Sequence, residues 1–120
     1  MSLTIYYSFK SSENLATSGV LEKTAESWNK LEYEGSETWS WYEPQVEKKF
    51  LKKSIFTYEG STRLMDSTFN PEAVMSALNI LTNIRRHIPS TEWSVNLDDL
   101  ELPWDESVQK YHITGTSSGD

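Results

Sequence analysis

Between Pro71 and Pro89 the apolar residues recur at the spacing of a helix. Val74, Ala77, Leu78, Leu81, Ile84 and Ile88 form one continuous stripe when the chain is wound at about 3.6 residues per turn. Asn70 is an N-cap candidate, and Pro71 suits the first helical position, where a missing N–H costs nothing. Arg85, Arg86 and His87 place positive charge in the last turn, against the negative end of the helix dipole, and Pro89 stops the element. A helix apolar on one side must bury that side against another element. The partners on offer are segments of period two. Leu3, Ile5, Tyr7 and Phe9 alternate with Thr4, Tyr6 and Ser8, and Trp93, Val95 and Leu97 alternate with Ser94, Asn96 and Asp98. The chain therefore reads as helices packed on a sheet.

The remaining segments fill in this layout. Ser11, Ser12 and Asn14 are cap candidates for a helix running to about Lys30, with Leu21, Ala25 and Trp28 on one stripe and Gly19 weakening its start. Residues 31–42 read as a hairpin or a long strand. Glu34-Gly35-Ser36 supplies turn chemistry, and Trp39 and Trp41 share one strand face, which favours a core position for both. Residues 43–53 either open a short helix at Pro44, with Val46 and Phe50 one turn apart, or extend the next strand. Ser54 to Glu59 reads as a strand, Gly60-Ser61 as a turn, and Thr62 to Met65 as a returning strand.

The resulting expectation is a two-layer α+β fold: an antiparallel sheet with two helices on one face. A ferredoxin-like β-α-β-β-α-β order fits, with extra strands in 30–66. Other two-layer topologies stay open, because that region holds two, three or four strands. Residues 1–113 are expected to form one domain. The Ser- and Gly-containing end, 114–120, is expected to be a flexible tail.

Several function classes are disfavoured. There is no cysteine, which excludes disulfides, thiolate nucleophiles and Cys-ligated zinc. The glycines at 19, 35, 60, 115 and 119 are too scattered for a dinucleotide or phosphate loop. The net charge of −7 repels phosphate backbones, so no nucleic-acid partner is expected. Lys48, Lys49, Lys52 and Lys53, with Arg63 nearby, form the one dense basic cluster and read as a solvated face. No signal peptide or membrane-length apolar run is visible, and a cytoplasmic protein without membrane association is expected. His87 and His112 lack partners at spacings suited to acid–base work and read as structural. No catalytic residue, cofactor or metal is expected.

One segment stands out as a surface. Asn96 to Glu106 holds five carboxylates, three leucines and a tryptophan. Leu100, Leu102 and Pro103 interrupt the oxygen-ligand pattern a calcium loop needs. An aromatic residue ringed by carboxylates suits a contact with a basic protein. Asp98, Asp99, Glu101, Trp104, Asp105 and Glu106 are therefore the candidate partner-binding residues. The plain counter-reading is that the leucines and Trp104 only pack the last segment onto the domain edge.

The functional expectation is a small acidic protein-binding protein. In its concrete form it is an immunity or antitoxin-like inhibitor that covers the active site of a basic toxin. The alternatives are a small-ligand or enzymatic domain with an aromatic pocket around Trp39, Trp41 or Tyr58, and a subunit of a homo-oligomer.

Overall fold

The computed structural model describes residues 3–32, 36–48, 54–65 and 71–111. Strand β1 (Leu3–Ser11) leads to two helical pieces, α1 (Leu15–Ser18) and α2 (Val20–Asn29). Three strands follow: β2 (Ser40–Trp41), β3 (Gln45–Lys48) and β4 (Ser54–Met65). Then come the long helix α3 (Pro71–His87), β5 (Thr91–Leu97) and the two-residue strands β6 (Leu100–Glu101), β7 (Trp104–Asp105) and β8 (Lys110–Tyr111). The main sheet runs β2-β4-β1-β5-β6, with β3 also on β4, and every pairing is antiparallel. The chain is thus an α+β fold with an antiparallel sheet. Among the described residues, no helix is long and apolar enough to cross a membrane.

The period-two reading of β1 holds. Ile5, Tyr7 and Phe9 are buried, while Tyr6 is exposed on the other face. Ala73, Val74, Ala77, Leu78 and Leu81 of α3 pack on that buried face together with Trp28 of α2, Leu64, Val95 and Leu97. The stripe foreseen on the long helix is therefore its buried side.

The first helix differs from its expected form. Asn14 does cap it, its Oδ1 accepting from the Thr17 N–H at 3.1 Å, but Gly19 at φ +84° ends α1 after one turn and α2 starts afresh. The chain takes this left-handed step at a glycine, where no Cβ opposes it. The hydroxyl of Tyr58 fixes the entry to α1, accepting from the Leu15 N–H at 2.9 Å and donating to the Glu13 carbonyl at 2.7 Å.

Among the described residues the region 30–66 holds three strands, with two departures from the sequence reading. Leu31 and Glu32 are not in a strand; Leu31 follows the helix end and is exposed. Gly60-Ser61 is not a turn, because β4 runs straight through it for 12 residues against the whole of β1. Gly60 is needed for a close approach instead. It pairs with Tyr7, and a Cβ there would land on the Tyr7 ring and the Ser40 carbonyl oxygen. Over Gly60 the Tyr7 hydroxyl donates to the Ser40 carbonyl at 2.8 Å and meets Thr62 Oγ1 at 2.7 Å. Residues 45–48 settle as strand rather than helix. The Glu34-Gly35 turn, the Asn70 cap, Phe50, Lys49, Lys52, Lys53, His112 and the 114–120 tail lie outside the described residues.

Trp39 is buried and Trp41 half-buried, so the tryptophan pair belongs to the core. Trp39 stacks on Tyr7 with centroids 4.6 Å apart, and Trp41 meets Tyr7 edge-on at 5.1 Å. The indole N–H of Trp41 donates to the Leu21 carbonyl and that of Trp28 to the Glu37 carbonyl, tying α2 to the neighbouring chain.

Two outcomes are expected. Gly60→Ala forces a methyl group against backbone and should cost about 2 kcal/mol or more, read as a lower urea midpoint at unchanged m-value. The Tyr7 hydroxyl is held well above the usual phenol range, chiefly by burial, with its hydrogen bonds to Thr62 and Ser40 opposing. The unfolded chain therefore releases this proton first. Stability is unaffected below pH about 10 and falls above it, by at most about 1.4 kcal/mol per pH unit from this group. In Tyr7→Phe that part of the alkaline slope should be missing from pH-dependent denaturation curves.

Candidate functional site

The acidic segment folds into two short hairpins: β5–β6, which extends the main sheet, and β7–β8, which forms a two-stranded sheet of its own. Asp98 and Asp99 form the turn between β5 and β6, and both are exposed. Asp98 adopts φ +53°, a left-handed conformation that aspartate tolerates better than most residues. It is also a structural clip: its backbone N–H donates to the Thr4 carbonyl at 2.8 Å, and its Oδ1 accepts from the Thr4 N–H at 3.0 Å. Glu101 is exposed on β6. Leu102 is buried, its N–H donating to the Val95 carbonyl at 2.8 Å, whereas Leu100 points to solvent. Asp105 Oδ1 accepts from both the backbone N–H and the hydroxyl of Ser107, which shapes the turn after β7. Glu106 is exposed, as is the apolar Val108.

Trp104 is half-buried and occupied within the molecule. It pairs across the β7–β8 ladder with Tyr111, and the two rings meet edge-on at 5.1 Å. The Arg85 guanidinium lies 4.2 Å from the Trp104 ring centre, 5.7 Å from that of Tyr111 and 5.8 Å from that of Trp93. Arg85 Nη1 donates to the Tyr111 hydroxyl at 3.0 Å. The backbone N–H of Tyr111 donates to Thr82 Oγ1 at 3.4 Å, joining β8 to α3. Burial raises the Tyr111 phenol above its ordinary range and the Glu101 charge adds to this; the Arg85 hydrogen bond and charge oppose both.

These contacts enclose a cleft of about 330 Å³, lined by Arg85, Trp93, Val95, Glu101, Leu102, Pro103, Trp104 and Tyr111. The structure thus divides the predicted residues. Glu101 and Trp104 meet at the cleft, whereas Asp98, Asp99, Asp105 and Glu106 do not line it. Sequence reasoning missed Arg85, Trp93 and Tyr111 as partners of Trp104. Arg85 carried one signal: it sits four residues after Leu81 and three before Ile88, spacings that put it on the packed side of the helix.

Other candidates make contacts within the fold. Trp39 and Tyr58 are buried within the aromatic core rather than lining an open pocket. Arg63, near the lysine cluster, donates to Glu37 at 2.6 Å. His87 Nδ1 lies 2.9 Å from the Asn83 carbonyl, a contact satisfied by the Nδ1–H tautomer. No three His, Cys, Asp or Glu side chains converge as a metal-ligand set among the described residues.

The Trp104 contacts give a direct test. Trp104→Ala should cost about 2 kcal/mol, below the usual penalty for a fully buried tryptophan. In hydrogen exchange the Tyr111 amide should lose protection while the β1 amides keep theirs. Compared with protein family models, with curated proteins and with solved structures, the chain has no match to any of them.

Proposed function

We propose that this chain is a small acidic protein-binding domain that docks on a basic protein through the edge from Asp98 to Lys110. The supporting observation is a mixed surface on a fastened base. Asp98, Asp99, Glu101 and Glu106 are exposed beside Leu100 and Val108, which are 47% and 50% exposed. Leu102 and Tyr111 beneath them are buried, so the surface is held in place before a partner arrives. Exposed apolar groups among carboxylates suit a contact in which charge speeds encounter and apolar burial holds the complex. An inhibitor of the immunity or antitoxin kind is the specific form we favour, because carboxylates can occupy a cationic cleft built for phosphate. For the sheet, we read the arrangement as ferredoxin-like, with β2 and β3 together in the place of one interrupted strand; the order β2-β4-β1-β5 supports this.

The test begins with affinity capture from the native cell, using the full chain as bait. A basic protein should be retained at low salt. Its association rate should fall about tenfold for Asp99→Asn/Glu106→Gln at low ionic strength, with little difference near 1 M salt, where charges are screened within about 3 Å. Asp98 is left unchanged because it holds β1. Capture of no basic protein, or an unaltered association rate in the double variant, refutes the proposal.

A further inference from the structure

We propose that the cleft between Arg85 and Glu101 is a binding site for a free α-amino acid with an apolar or aromatic side chain. The Arg85 guanidinium, on a half-buried side chain, has three aromatic rings around it at 4.2 to 5.8 Å. Its Nη1 serves the Tyr111 hydroxyl, and no carboxylate among the described residues forms an ion pair with it. A guanidinium held by aromatic rings, with no carboxylate among the described residues paired to it, is matched by a carboxylate along its planar edge.

Glu101 lines the same cleft without pairing to Arg85. A simple anion would meet repulsion from Glu101, and a simple cation repulsion from Arg85. A zwitterion satisfies both, placing its carboxylate on Arg85 and its ammonium on Glu101. Trp93, Pro103 and Trp104 present the remaining surface, over the buried Val95 and Leu102, and would face an apolar side chain. The volume of about 330 Å³ is at the small end of ligand pockets, which favours a single amino acid over a peptide or nucleotide. This site does not depend on the protein-docking proposal, and its test needs no protein partner.

The experiment is titration of the full chain with L-phenylalanine, followed by calorimetry and by tryptophan fluorescence, since Trp93 and Trp104 line the cleft. Saturable binding is expected. N-acetyl-L-phenylalanine lacks the ammonium and L-phenylalaninamide lacks the carboxylate; each should bind at least about tenfold more weakly, the loss of one charge-assisted contact. Arg85→Gln should abolish binding, but Arg85 also pins the β7–β8 hairpin. The decisive variant is therefore Glu101→Gln, which alters an exposed side chain. It should weaken L-phenylalanine about tenfold, while the anionic N-acetyl compound, freed of the repulsion from Glu101, should bind more tightly than to the unaltered protein. Absence of saturable binding by about 10 mM, equal affinity for all three compounds, or an unaltered affinity in Glu101→Gln overturns the assignment.

Discussion

A single file of aromatic rings ties the elements of this protein together. It runs from Trp28 on α2 to Trp39, then Tyr7, Trp41, Phe9, Trp93, Tyr111 and Trp104, each ring within 6.3 Å of the next. All five tryptophans belong to it. Rings of this size bury large areas and favour stacked or edge-on contacts, so the file supplies apolar burial that the aliphatic content alone would leave short. It also joins parts of the chain that share no backbone ladder. The β7–β8 hairpin is not hydrogen-bonded into the main sheet, yet it is continuous with the core through Tyr111 and Trp93.

Tyr7 is the junction of this file. Its ring stacks on Trp39 and meets Trp41, and its hydroxyl joins β1 to Ser40 in β2 and to Thr62 in β4. That geometry is open only because residue 60 has no side chain. The Glu-Gly-Ser sequence around Gly60 looks like a turn because glycine serves both turns and close approaches. Local sequence does not separate the two uses. The partner that distinguishes them, Tyr7, lies more than fifty residues earlier.

The acidic segment combines opposite tendencies. Asp98 and Asp105 use their carboxylates on neighbouring backbone groups and so build the turns. Asp99, Glu101 and Glu106 remain exposed. Trp104, read from sequence as a residue for a partner, is half-buried and engaged within the molecule by Arg85 and Tyr111. The packing reading of this stretch therefore holds for Trp104, while Asp99, Glu101 and Glu106 face solvent. The leucines divide in the same way, with Leu97 and Leu102 buried and Leu100 in solvent.

Periodicity by itself determined the long helix, the face of β1 that is buried, and β5, because helical and strand spacing are local properties of the chain. The acid excess and the missing cysteine were likewise plain in the sequence. The tertiary structure decided the rest. It carried β4 through Gly60, broke the first helix at Gly19, and assembled the cleft from Arg85 on α3, Trp93 on β5 and Tyr111 on β8. Arg85 and Trp93 lie on successive elements, whereas Tyr111 follows only after β6 and β7. Only the packing of α3, β5 and β8 against one another, through rings whose contacts have no sequence period, brings a lone guanidinium and the Glu101 carboxylate to one opening.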